Sequence, residues 1–205
     1  ALAQAIGYRP VFLAASTHEG EDEIVLEAHR LIAPRLSNLL TIIAPRHPER
    51  GDAIAALAEA AGLQACQRSR GELPRVRHAV YVADTLGEMG LFYRAAPVAF
   101  LGGSLIRHGG QNPIEPAKLG AAVIHGPHVF NFAAVYEALA ANGAARQVTG
   151  AEDMAEGALL LLADKRERVR QREAAAETVA DLGGALDRTL AAIEPYFLSL
   201  AMRSQ

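Results

Sequence analysis

The sequence predicts an α/β fold, a Rossmann-like parallel sheet flanked by helices with a helical appendix at the carboxyl end. Short apolar runs recur, closed by glycine, proline or small polar residues, and most are followed by a stretch with helical spacing. The runs are near-continuously apolar rather than alternating, as expected of strands covered on both faces. They are Val11–Ala15, Leu39–Ala44, Gln64–Cys66, Ala79–Val82, Val98–Leu101 and Ala122–His125. Between them, Glu23–Leu36 and Asp52–Ala61 carry helical periodicity, and further helices are expected over Gly87–Arg94, Pro113–Leu119, Asn131–Ala141 and Ala151–Ala163.

After Val148 the alternation stops. The charge-rich stretch Asp164–Glu177 reads as a solvated helix face, and Leu182, Leu186, Leu190, Ile193 and Phe197 are spaced for one face of a terminal helix. The expected organisation is an interdomain linker remnant over 1–10, one Rossmann-like domain over 11–181, and a C-terminal helix over 182–205. Residues 1–10 lack the basic and apolar regions of a signal peptide.

With 205 residues, 51% of them hydrophobic and 21% charged, the chain can build one substantial core. A formal net charge of -3 gives no overall basic field, so nucleic-acid binding is not expected and any anion must be met by local geometry. The lone cysteine, Cys66, excludes an intrachain disulfide and a Cys-rich zinc site. No apolar run reaches the roughly 18 residues of a membrane-spanning helix, so the chain is expected to be soluble.

In open parallel sheets ligands bind beyond the carboxyl ends of the strands, and four strand exits carry unusual loops. After Val11–Ala15, Ser16 and Thr17 stand before a run containing Glu19, Glu21, Asp22 and Glu23; the hydroxyls suit an anion at a helix start, or Ser16 and Thr17 cap the helix with a glutamate. After Leu39–Ala44, the string Pro45-Arg46-His47-Pro48-Glu49-Arg50 offers guanidinium groups suited to a phosphate oxygen. After Ala79–Val82, Gly87, Glu88, Met89 and Gly90 border a helix start where backbone can approach a planar base, with Asp84 or Thr85 as an alternative N-cap.

The fourth loop holds Gly102, Gly103 and Ser104, then His108, Gly109, Gly110, Gln111, Asn112, Pro113, Ile114, Glu115 and Pro116. Asn112 suits an N-cap and Pro113 the first helical position. Glu115 then either closes a capping box on Asn112 or accepts hydrogen bonds from two adjacent ribose hydroxyls; spacing leaves both open. There is no GxGxxG with a distant acidic partner, no P-loop, and no HExxH or CxxC, so neither a cofactor nor a catalytic metal is expected. The histidines, His18, His47, His78, His108, His125 and His128 among them, are scattered and read individually as loop or core residues.

Taken together, Ser-Thr-His-Glu-Gly-Glu at 16–21, Pro-Arg-His-Pro-Glu-Arg at 45–50, Gly-Glu-Met-Gly-Leu-Phe-Tyr at 87–93, Gly-Gly-Ser at 102–104 and Gly-Gly-Gln-Asn-Pro-Ile-Glu-Pro-Ala at 109–117 resemble 3-deoxy-D-manno-octulosonic acid (Kdo) transferases over residues 8 to 200. The resemblance is to the second half of that family, two-domain GT-B enzymes that move Kdo from CMP-Kdo to lipid A precursor, with inversion, in lipopolysaccharide synthesis at the cytoplasmic face of the bacterial inner membrane. It implies that this chain binds the CMP part of the donor. Glu115 would hold the ribose, Asn112, Gly109 and Gly110 would shape the phosphate-facing loop, and Arg46 would meet the phosphate. Gly87, Glu88, Met89 and Gly90 would border cytosine, Ser16 and Thr17 would lie by the phosphate or sugar, and Gly103 and Ser104 would belong to the same pocket. Gln111 stands where the family usually has histidine. The general base, the acceptor surface and the membrane anchor would lie in the amino-terminal domain, so this chain alone would bind nucleotide without turnover. The nucleotide-binding half of a UDP-sugar transferase or epimerase, or a non-catalytic interaction module, are the alternatives.

Overall fold

A computed structural model describes residues 1–183. Seven strands form one parallel sheet: β1 (Val11–Thr17), β2 (Leu40–Pro45), β3 (Ala65–Gln67), β4 (Val80–Val82), β5 (Val98–Leu101), β6 (Ala122–His125) and β7 (Ala145–Gln147). Their order is β3-β4-β2-β1-β5-β6-β7. The chain leaves β1 toward β2 on one side and later sets β5 against its other side. The crevice between β1 and β5 is thus the topological switch point of the sheet.

Alternation along the strands divides the core in two. Phe12, Ala14, Ile43, Val80, Val82, Val98, Phe100 and Ile124 pack on one face against α2 (Glu21–Ile32), α3 (Gly51–Ala60) and α7 (Ala151–Ala163). Val11, Leu13, Ala15, Ile42, Tyr81, Ala99, Leu101 and Val123 pack on the other against α1 (Leu2–Ile6), α4 (Met89–Ala95) and α6 (Ala133–Ala141). Burial on both faces explains why the central strands read as apolar runs in the sequence.

Four differences from the sequence reading have physical reasons. Residues 2–6, expected as linker, form a helix because Leu2 and Ile6, one turn apart, are buried against the sheet. β7 was not expected: its residues, Ala145, Arg146 and Gln147, are half-buried or exposed at the sheet edge and show no apolar run. The first helix starts at Glu21 rather than Glu23 and ends at Ile32. The stretch 164–177, read as a solvated face, belongs to α8 (residues 165–183), which buries Gln171, Ala175, Thr178 and Val179. Gln171 Nε2 donates to the carbonyls of Val123 and Ala144 at 2.8 and 3.4 Å, tying α8 to the β6–β7 side of the sheet. The terminal apolar stripe from Leu186 lies outside the described residues.

One buried imidazole makes the fold pH-sensitive. His29 on α2 lies with Nδ1 2.8 Å from Thr41 Oγ1 on β2, and burial, helped by the charge of Arg9, pushes it from the usual 6.5 down to about 4. The unfolded chain therefore takes up a proton that the native chain refuses. The stabilisation is fully present above about pH 6.5 and is lost as pH falls toward about 4, in total of order 3 kcal/mol. Urea unfolding at a series of pH values should give a free energy that declines from pH 7 toward 4.5, and His29→Gln should make that decline shallower.

Candidate functional site

At the carboxyl edge of the sheet the exits of β1 and β5 touch. Strand β1 ends in a bulge, with its register shifting between Ala15 and Thr17 and Ser16 in the left-handed region at φ 56°. Opposite lies Gly102, whose amide donates to the Ala15 carbonyl at 2.8 Å. A Cβ there would fall 2.4 Å from the Ser16 carbonyl oxygen and 2.7 Å from Thr17 Cα, so only glycine lets the two exits meet.

The contact is locked by Glu21. Its fully buried carboxylate accepts the backbone N–H of His18 at 3.0 Å within its own loop, and those of Gly103, Ser104 and Leu105 at 2.7, 3.1 and 3.0 Å across the crevice. Such charge-assisted bonds in a dry setting are among the stronger in a protein. Neither Ser16 nor Thr17 caps α2, whose N-cap is Gly20. Next to Glu21, the buried Asp22 is paired with Arg50, which also donates to the Thr17 carbonyl at 3.3 Å. Burial raises the Asp22 carboxyl, against the pull of Thr17 and Arg50.

Of the two arginines after β2, Arg50 is therefore held internally, while Arg46 is exposed and anchored through its amide to the Thr17 carbonyl at 3.0 Å. Three histidines remote in sequence converge beside it. The His18 ring lies 4.0 Å from that of His108 and 5.9 Å, edge-on, from that of His47. Gly103 lies under this group: a Cβ there would be 3.3 Å from both His18 and His108 and 3.4 Å from Gln111 Nε2. His18 is 8% exposed, and its Nε2 is buried without a hydrogen-bond partner among the described residues. Read one at a time, these histidines carried no signal.

In the fourth loop Gly109, at φ 103°, packs against Asn131, which donates to the His108 carbonyl at 3.1 Å; Gly110 donates to the Gly103 carbonyl at 2.8 Å. Asn112 Oδ1 accepts from the Ile114 amide at 3.0 Å, a turn bond, because Pro113 rather than Asn112 sits at the N-cap of α5 (Ile114–Lys118). The capping box expected as one reading does not form: Glu115 is exposed and its carboxylate accepts no hydrogen bond among the described residues. Its carboxylate points to Gly90, where a Cβ would be 3.9 Å from Glu115 Oε1, so the third and fourth loops meet there. Ser104 is fully buried, its hydroxyl donating to the Leu101 carbonyl at 2.5 Å and accepting from the Gly126 amide at 2.7 Å.

The third loop is braced from β3. Asp84 is not an N-cap; it accepts from Gln67 Nε2, the Ser69 amide and the Ser69 hydroxyl at 2.7, 2.9 and 2.7 Å. Glu88 receives two bonds from Arg68, at 2.5 and 3.0 Å, and one from Thr85; Arg68 and then Thr85 hold its carboxyl down to about 2. The Glu88 carboxylate is thus engaged by three bonds, while a Cβ at Gly87 would meet nothing within 4 Å and Met89 packs against the core face of Leu13, Tyr81 and Phe92. A cleft of about 760 Å³ between Ala5 and Leu73–His78 opens at the opposite edge of the sheet, away from these loops. Among the described residues no three His, Cys, Asp or Glu side chains are grouped to hold a metal ion, and no helix is long and apolar enough to cross a membrane.

No protein-family model matches the chain. It is 46% identical to a 3-deoxy-D-manno-octulosonic acid transferase of Bordetella pertussis and 41% identical to that of Haemophilus influenzae, in each case over 92% of its own length. Its backbone superposes on the C-terminal CMP-Kdo binding domain of WaaA from Acinetobacter baumannii with a TM-score of 0.82 and 31% identity, covering 87% of this chain and 94% of that domain. The chain belongs to the Kdo transferase family. It spans 44–45% of the length of the two transferases and has the sheet of GT-B C-terminal domains. In this family member, Glu21→Gln would turn an amide NH2 toward backbone donors. It should lower unfolding free energy by about 2 kcal/mol or more in denaturant titrations.

Proposed function

We propose that this chain is the donor-binding half of an inverting Kdo transferase, and that the crevice between β1 and β5 holds the CMP part of CMP-Kdo. The observation that carries this reading is the meeting of four strand-exit loops at the switch point of a chain that aligns along its length with a CMP-Kdo binding domain. In this reading Glu115, without an internal partner among the described residues, accepts the two ribose hydroxyls beside Gly90. Cytosine lies against the backbone of Gly87–Gly90, a segment stiffened by the Arg68–Glu88 pair. Arg46 meets the phosphate, with Gly109, Gly110 and Asn112 shaping the loop across from it. Ser16 and Thr17 border the phosphate or sugar. Gly103 forms the floor, and Ser104 contributes its position, since its hydroxyl is bonded internally.

In the reaction the acceptor hydroxyl oxygen of a lipid A precursor bonds to the anomeric carbon of Kdo, the bond from that carbon to the CMP phosphate oxygen breaks, and the hydroxyl proton passes to a base. This chain holds the departing phosphate, where charge grows in the transition state. The base, the acceptor surface and the contact with the cytoplasmic face of the inner membrane belong to a separate amino-terminal domain.

Calorimetry should give measurable binding of CMP and weaker binding of UDP and GDP; a preference for UDP would sink the assignment in favour of another GT-B donor half. Glu115→Gln should weaken CMP binding by roughly tenfold or more with an unchanged melting temperature, because it removes a ligand contact and no fold contact. In a radiolabelled transfer assay the chain alone should add no Kdo to lipid A precursor.

A further inference from the structure

Within this crevice one cluster is unexplained by contacts that hold the fold. His18, His47 and His108 stand together beside Arg46, and the most buried of them presents a nitrogen with no partner among the described residues. A buried polar nitrogen without a partner is costly in a native protein and marks a place where something else binds. The charged and titratable groups facing His18 are His108, from the loop after β5; His47 and Arg46, from the loop after β2; and Glu21, at the start of α2. Glu21 is already ringed by four backbone amides, so it offers the imidazole little compensation.

We propose that His18 and His108 form a seat for an oxyanion of the donor, and that binding this anion draws one proton from solvent onto the imidazole pair. The proposal rests on the donor-site reading above and deepens it. Without ligand, rings so close to each other and to an arginine repel added positive charge. Burial first, and then the neighbouring His108, accordingly hold His18 below its ordinary value, neutral near pH 7. An oxyanion there, singly charged in the donor's phosphodiester and close to doubly charged in CMP, offsets the local positive potential, favours the imidazolium, and accepts a hydrogen bond from the ring. The proton comes from water or buffer and resides on the ring; no covalent bond changes. A sugar carboxylate has the same oxyanion chemistry, so either donor group fits the seat.

Calorimetry of CMP with the whole chain at pH 7.5, in several buffers of different ionisation enthalpy, reads the proton directly. Phosphate buffer is avoided because it would compete. Uptake of about half to one proton per CMP is expected, with none for cytidine. Free Kdo separates the two sources: uptake with CMP alone assigns the seat to the phosphate, and uptake with Kdo alone assigns it to the carboxylate. His18→Gln and His108→Gln should each abolish most of the uptake and weaken CMP about tenfold while leaving cytidine affinity unchanged. Should either variant fold poorly, imidazole NMR titration of the native chain serves instead: the pKa of His18 should rise by about one unit or more when CMP or Kdo is added. Tight CMP binding with an enthalpy independent of buffer, no uptake with Kdo, and histidine pKa values that do not move would overturn the proton-coupled seat and leave the donor-site reading intact. Absence of CMP binding would instead overturn the donor-site reading, and this proposal with it.

Discussion

The carboxylate of Glu21 is the constraint on which the carboxyl edge of the sheet depends. A full charge withdrawn from water needs several donors, and the amides of a tight strand exit need acceptors; Glu21 meets both needs by joining His18 to Gly103, Ser104 and Leu105. The β1 bulge and the close approach of Gly102 fix where that carboxylate can reach. One consequence concerns ligands. The first turn of α2 carries Glu21, Asp22 and Glu23, so the positive end of its dipole is already compensated. On the proposed reading a ligand anion at this crevice is met by side chains, with Arg46, His18 and His108 at hand.

The carboxylates around the crevice fall into two kinds. Glu21, Asp22, Asp84 and Glu88 are bound by amides, hydroxyls or arginines and stiffen the loops that carry them. Glu88 ionises near 2 and so keeps its pairing with Arg68 through the neutral range, which makes the loop about Gly87 a rigid wall. Glu115 differs in projecting from a short helix with no bond that the fold needs. A carboxylate of that kind gains partners only from a ligand, whereas exchanging any of the bound four perturbs structure first.

The same division explains what was legible in the sequence. Val98–Leu101 and Ala122–His125 were readable to the residue because central parallel strands are apolar on both faces. β7 was not, since Ala-Arg-Gln at an edge takes its conformation from β6 and α8 rather than from its own pattern. Residues 2–6 were too few to show a period, and their helix exists because Leu2 and Ile6 find the sheet. The four loops were recognisable from their glycine, proline and arginine content, but the role of each residue was not. Glu21 sat in an acidic run that read as supplying a capping glutamate, and three of its four partners are more than 80 residues away. His18, His47 and His108 are single residues in three loops, and only the folding of those loops onto one edge makes them a group. For Asn112 and Glu115 spacing left two readings; the shift of the N-cap to Pro113 removed the capping one.

The arrangement also bears on how a donor-binding half can be built apart from the rest of an enzyme. Each contact that shapes the crevice is made within these 183 residues: Glu21 across β1 and β5, Arg68 to Glu88, Asp84 to Ser69, and Tyr136, whose hydroxyl donates to the Gln111 carbonyl at 2.8 Å. These bonds tie the loops to the sheet and to one another, which lowers the conformational cost of holding a ligand. Stabilising a departing phosphate requires donors fixed in advance, whereas removing a proton from an acceptor requires a base that arrives with the acceptor's own binding surface. On the proposed reading, with the leaving-group site on this chain and the base on another domain, domain closure rather than loop folding would bring the two halves of the chemistry together.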